Sequence, residues 1–241
     1  MTLQDARVLI VGGTSGLGLA VAQAVAARGA TPIVASRSNT SVDRALDSLP
    51  NVAEGTTVDL GNPESVERLV AQAGPIDHLV YTAGEPLQLT MLPDLTTEVA
   101  KSFWETRYFG ALAVIRAVTI ANALRETGSI VLTGGNAGRR PGPGWAAPAS
   151  LCGAMEALAR ELALELAPIR VNVVVPGVTR SPLWAGMPAD QAEAMYEGIA
   201  AGLPVRRVGE PADVALSYVY AMEQPMATGT AILVDGGAVL V

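Results

Sequence analysis

A single cysteine, Cys152, excludes an internal disulfide framework and suits a reducing compartment, so a cytoplasmic protein is expected. A single histidine, His78, has no metal-ligand partners beside it, and no metal site is expected. Basic stripes are missing too. The net charge of −7 over 241 residues argues against nucleic acid or an anionic membrane as partner. No apolar run is long enough to span a bilayer: the longest, Ala111 to Leu124, is interrupted by Arg116 and Asn122. The N-terminus carries Asp5 and Arg7 and then the short run Val8 to Val11, which reads as a strand and not a signal peptide. With no linker, repeat or low-complexity tail, one domain over residues 1–241 is expected. Half of the residues are hydrophobic, enough for a sheet buried on both faces.

What is present is a repeated alternation of short β-branched runs and helical patterns, which predicts βαβ units and a parallel sheet. Strands are predicted at Arg7 to Val11, Pro32 to Ala35, Thr56 to Val58, His78 to Thr82, Ser129 to Thr133, Arg170 to Val175 and Ala231 to Val234. The long helical pattern from Thr96 to Arg125 is expected to end at Gly128 as a C-cap. The stretch Gly134 to Pro148, with five glycines and three prolines, is expected to be loop. A helix follows from Ala149 to Ala167, then a lid-like segment from Pro182 to Leu203 and a helix from about Ala212 to Met222. The fold class is therefore α/β, a Rossmann-type doubly wound sheet of about seven strands in three layers.

Between the first strand and first helix lies Gly12-Gly13-Thr14-Ser15-Gly16-Leu17-Gly18. Such glycines permit a tight turn and close approach to a pyrophosphate, which the free N–H groups of the following helix attract. The alternative is a glycine-rich turn without a ligand. At the end of the second strand, where a carboxylate would bind the ribose of NAD, the chain has Ser36, Arg37 and Ser38. A guanidinium there suits a 2′-phosphate, so NADP(H) is the expected cofactor. The competing reading of Arg37 is a solvated surface side chain.

Four further segments match one family: Asp59-Leu60, Tyr81-Thr82-Ala83-Gly84, Ile169-Arg170-Val171-Asn172 entering Pro176-Gly177, and Val234-Asp235-Gly236-Gly237. With the glycine turn, they make the chain resemble the short-chain dehydrogenase/reductase family over nearly its whole length. That resemblance implies that Asp59 and Leu60 flank the adenine, and that Thr82, Ala83 and Gly84 line the ribose. It also implies that Pro176, Gly177, Val178 and Ser181 meet the nicotinamide end. It further implies pairing of the long helices into a homodimer or homotetramer, with Leu112, Ile115, Leu158 and Leu162 shared between sheet and partner.

The family's chemistry rests on an asparagine, a serine, and a tyrosine four residues before a lysine. Aligned on Ala154 to Arg160, the lysine position falls on Cys152 and the tyrosine position on Pro148. The serine position is Gly135, the asparagine position is Arg107, and no Tyr or Lys lies between Phe109 and Asp190. Proline cannot donate a proton, so the family's ketone–alcohol mechanism is not available in its usual form.

Three groups are candidates for a replacement. Arg107 is a permanent cation that could stabilise charge or hold an anion; its alternative is a purely stabilising ion pair. Glu85 could be an acid of raised pKa if buried, or a solvated loop carboxylate. Thr133 could donate a hydrogen bond or be structural. Arg139 and Arg140 could bind an anionic substrate or face solvent. Pro86, Leu87, Trp145, Trp184 and Met187 are expected to form an apolar wall or lid packing. Two functions follow. One is an NADP(H)-dependent oxidoreductase with non-standard catalytic residues, acting on a small apolar carbonyl, imine or activated alkene. The other is a catalytically degenerate member that binds NADP(H) for a non-redox, regulatory or cyclase-like role.

Overall fold

Valine, isoleucine and leucine fill the strands and alternate between two faces, so each strand feeds two hydrophobic layers. In β1 (Arg7–Val11), Leu9 and Val11 join one core cluster while Val8 and Ile10 join the other. The computed structural model describes residues 2–241. The remaining strands are β2 (Thr31–Ser36), β3 (Glu54–Thr57), β4 (Ile76–Tyr81), β5 (Leu124–Thr133), β6 (Arg170–Pro176) and β7 (Ala231–Val234). All pair in parallel in the order β3-β2-β1-β4-β5-β6-β7. Strand order reverses between β1 and β4, and the crevice at their carboxyl ends is where such sheets bind ligands.

Helices α1 (Gly16–Ala26), α2 (Asn39–Asp47) and α8 (Pro211–Glu223) contribute to one layer, through Val21, Val25, Ala45 and Tyr218. Helices α3 (Pro63–Ala73), α5 (Gly110–Ile120) and α6 (Ala146–Glu165) cover the opposite face through Leu69, Val114 and Met155. Helix α3 starts as its sequence dictates: Asn62 caps it by accepting from the Glu64 and Ser65 N–H groups, with Pro63 in its first turn. Helix α4 (Thr97–Trp104) lines the crevice through Val99, Ser102 and Phe103, while α7 (Ala189–Gly202) packs Tyr196 with Trp184, Leu203 and Val208, and the segment 182–203 opens with the short 3-10 turn Pro182–Trp184.

The pattern from Thr96 to Arg125 is not one helix. A π-helical turn, Glu105–Phe109, separates α4 from α5, and residues from Leu124 onward belong to β5. Apolar residues flank the π-turn on both sides, so the helical pattern reads as continuous through it. Nor is 134–148 all loop: a 3-10 turn spans Asn136–Gly138, and α6 begins at Ala146 with Pro148 in its first turn, where no intrahelical N–H is required. Within the chain Ile115, Leu158 and Leu162 are buried and Leu112 is partly buried, while Ile120 and Leu164 are the large exposed hydrophobic residues of these helices.

His78 sits inside β4 with Nδ1 2.9 Å from Ser129 Oγ, and burial, assisted by the charge of Arg170, depresses its pKa from 6.5 to about 4. The unfolded chain therefore takes up this proton at higher pH than the folded one. The stability from neutral His78 is complete above about pH 6.5 and is lost as pH falls through about 4. The full loss is about 3 kcal/mol. Urea midpoints at pH 7.5 and 4.5 should differ more for the wild type than for His78→Gln; equal differences would remove His78 from the account.

Candidate active site

The glycine turn is shaped by backbone proximity. Gly12 has φ +87°, and a Cβ there would lie 2.6 Å from the Ala83 nitrogen. A Cβ on Gly18 would collide with the Gly12 carbonyl oxygen and sit 2.5 Å from Thr82 Oγ1, which itself donates to the Val11 and Gly12 carbonyls. Helix α1 follows with Ser15 as an N-cap that makes no side-chain cap bond and with no acidic residue in the first turn. Its first N–H groups have no partner within the helix, and no carboxylate competes for them. This bare, positively poled cradle fits a pyrophosphate.

The turn opens into one cleft of about 1000 Å³ along the carboxyl ends of the strands. Seventeen of the eighteen residues expected at the dinucleotide line it, from Gly12 through Arg37, Asp59 and Thr82 to Ser181. The exception is Ser38, whose Oγ caps α2 by accepting from the Ser41 N–H at 3.4 Å. Arg37 is exposed at the end of β2, with no ion-pair partner among the described residues. Asp59 shapes its own loop: Oδ1 accepts from the Gly61 N–H, and the Asp59 N–H donates to Ser65 Oγ.

At the other end of the cleft, Arg107, Gly135, Pro148 and Cys152 all contribute to the lining. The π-turn re-aims the chain so that Arg107 lies over Gly84; a Cβ on Gly84 would come within 3.0 Å of the guanidinium carbon. Its guanidinium also stacks on Phe103, 4.1 Å from the ring centre. One terminal nitrogen donates to the Glu85 carbonyl, while the other, Nη1, lies 3.7 Å from Glu85 Oε2. Burial lowers the pKa of Arg107, countered chiefly by the charge of Glu85. An arginine stays cationic through any working pH. Glu85 is 39% exposed, half open to the cleft, and its Oε1 accepts from Thr106 Oγ1 at 2.6 Å.

Cys152 packs against Gly135, where a Cβ would meet its sulfur at 3.0 Å. Burial raises its thiol to about 11, an effect that a backbone bond from Gly138 and the charge of Arg107 only partly offset. It is a thiol at neutral pH, not a nucleophile. Thr133 is not a free donor. Its hydroxyl proton goes to the Tyr81 carbonyl at 2.6 Å, and it accepts from the Tyr218 hydroxyl at 2.6 Å. Arg139 is held by Glu156 through two 3.0 Å bonds and Arg140 by the Ala238 carbonyl, and neither lines the cleft.

The apolar wall forms from Pro86, Leu87, Trp145 and Trp184, with the two indoles 6.5 Å apart, while Met187 stands outside it. Sequence reasoning did not single out Phe103, on which Arg107 stacks, Thr106, which donates to Glu85, or the Tyr81 hydroxyl, which donates to the Thr106 carbonyl. The spacing of Phe103 and Arg107, i and i+4, was the available signal for their contact.

A family model described as enoyl-(acyl carrier protein) reductase matches residues 11–239. The short-chain dehydrogenase/reductase malC of Malbranchea aurantiaca is 32% identical over 253 residues, covering 99% of this chain and 96% of malC. The short-chain dehydrogenase/reductase ATR9 of Stachybotrys chlorohalonatus is 34% identical over 255 residues, 99% of each chain. Among solved structures, the MalC reductase/Diels-Alderase from Malbranchea aurantiaca superposes with a TM-score of 0.91 at 30% identity, covering 99% of this chain and 98% of that one. A small-chain dehydrogenase in complex with NADPH gives 0.84 at 32% identity, covering 99% and 100%. With the sheet order, the glycine cradle and these full-length likenesses together, the chain belongs to the short-chain dehydrogenase/reductase family of NAD(P)H-dependent oxidoreductases.

Proposed function

We propose that this protein is an NADP(H)-dependent reductase of an imine, iminium or activated alkene, working without a protein proton donor at the family's tyrosine position. The observation that carries this reading is the lining beside Arg107. Where the family has its serine, tyrosine and lysine, the cleft presents Gly135, Pro148 and a protonated, buried Cys152.

NADPH, when bound, supplies the hydride. The chain's part is to bind and orient. Gly12, Gly16 and Gly18 leave the α1 N–H groups bare, where they would hold the pyrophosphate, and Arg37 would meet the 2′-phosphate. Leu87, Trp145 and Trp184 exclude water from the substrate's apolar body. Glu85, the more exposed member of the charge pair, tolerates a cationic electrophile, while Arg107 behind it holds polar groups in register. An iminium carbon accepts hydride without any proton transfer, and an imine nitrogen or the carbanion formed from an activated alkene takes its proton from water, so proline at position 148 is no obstacle.

The test is NADPH oxidation followed at 340 nm with a matched cyclic iminium salt and cyclic ketone. Turnover of the iminium alone is expected; efficient ketone reduction, or none with either, would contradict the proposal. The coenzyme choice has its own test. Arg37→Ala should weaken NADPH binding about 10- to 100-fold and leave NADH within about threefold, measured by fluorescence titration.

A second reading draws support from the likeness to a protein named reductase/Diels-Alderase. The same apolar wall would hold a folded conformer for ring closure, with no net redox change. Product formation without NADPH consumption is its signature.

A further inference from the structure

Most buried polar atoms in folded proteins find a partner, so those that do not ask for a reason. Four side-chain atoms among the described residues are buried without one: Glu85 Oε2, Thr90 Oγ1, Arg107 Nη1 and Arg170 Nε. Three of these belong to residues lining the cleft. Two of the three face each other: Arg107 Nη1, a donor, and Glu85 Oε2, an acceptor, stand 3.7 Å apart. That is too far for a hydrogen bond between them.

Each side chain is held in place by its other polar atoms. Arg107 donates to the Glu85 carbonyl and stacks on Phe103; Glu85 Oε1 is taken by Thr106. What is left over is one donor beside one acceptor, on a pair whose charges cancel. A carboxylate or phosphate brought to Arg107 would meet the Glu85 carboxylate at the same time. A ketone would satisfy the donor and leave the acceptor unpaired. A neutral group with its own acceptor and N–H on adjacent atoms satisfies both, and a primary or cis-secondary amide has that arrangement.

From this geometry we infer that Arg107 and Glu85 form an amide-recognising subsite, which anchors a carboxamide or lactam of the substrate through its C=O to Arg107 and its N–H to Glu85. The inference rests on the reductase reading and names the part of the substrate that is held, not the part that is reduced. Both orphaned atoms are shielded from solvent. Glu85, at 39% side-chain exposure, is the member that moves to admit the amide.

Binding, not turnover, is the readout, so failure here is distinct from failure of the reductase reading. The probes are phenylacetamide, N,N-dimethylphenylacetamide and phenylacetate, each titrated against the NADPH-loaded protein by calorimetry. Phenylacetamide should bind about tenfold more tightly than either of the others, since the first lacks no partner, the second lacks the donor and the third meets Glu85. Glu85→Gln keeps the shape of the side chain and removes its charge. In that variant the preference should vanish, with phenylacetate gaining about tenfold on the amide and the two binding about equally. NADPH affinity, measured in parallel, shows that the variant is folded and loaded. Equal binding of the three probes to the wild type, no binding of phenylacetamide, or an unchanged preference in Glu85→Gln each overturns the assignment.

Discussion

Alanine at Gly18 should abolish measurable NADP(H) binding, by at least about 100-fold, and cost about 1–3 kcal/mol of stability. The added methyl meets main chain on one side and the Thr82 hydroxyl at 2.5 Å on the other, so the turn itself must move. That turn sets the opening of α1, and its displacement turns the N–H groups away from the pyrophosphate. The same substitution has the opposite sign where space is free. Gly198, inside α7, has nothing within 4 Å of where an added methyl would sit, and Gly198→Ala should stabilise by about 0.5–1 kcal/mol. Denaturant midpoints of the two variants, with cofactor titrations of each, check both halves. A Gly18→Ala protein that binds NADPH normally would show that the phosphates rest elsewhere.

The second large effect is expected at Arg107. Arg107→Met keeps much of the packing on Phe103 but removes the cation, leaving Glu85 without its charge partner. Activity, as kcat/KM for the electrophile, should fall about 100-fold, the scale seen when one preorganised donor is lost from an active site. Cofactor affinity should stay within about threefold, because Arg37 and the glycine cradle lie at the other end of the cleft. Arg107→Lys should recover little, since an ammonium cannot both stack on Phe103 and present two donors in a plane. Gly84→Ala acts on the same guanidinium, on which its methyl would press, so kcat/KM should fall in the same direction, with some loss of NADPH affinity added because Gly84 also lies on the ribose side. If Arg107→Met lowered only NADPH binding, Arg107 would be a cofactor ligand and not part of the substrate site.

Much of this was legible in the sequence because it is local. The glycine turn, the β-branched runs of β1, β4 and β6, and the basic end of β2 each carry their meaning within a few residues. The losses came where distant residues decide. The π-turn at Glu105–Phe109 keeps an apolar face on both sides, so no break in periodicity announces it. Residues 124–128 read as the end of a helix and become strand through pairing with β4, across a register shift between Ile76 and His78. Pro148 argued for loop, yet a proline in the first turn of α6 displaces no hydrogen bond. The choice for Thr133 between donor and structural residue is made by Tyr81 and Tyr218, 52 and 85 positions away, which take up its hydroxyl. Arg107 was visible as an oddity, but its partner Glu85 comes from another loop, and only the fold brings the two together.

The central claim, hydride transfer without a protein proton donor, is tested most directly by single-turnover reduction of a cyclic iminium salt, with C4-deuterated NADPH and in D₂O. The claim predicts a primary isotope effect on the transferred hydride, no solvent isotope effect, and a rate that stays level between about pH 6 and 9. A solvent isotope effect near 2 or above, tracking a titration within that range, would mean that a group of the protein moves a proton in the step, and the account would be wrong.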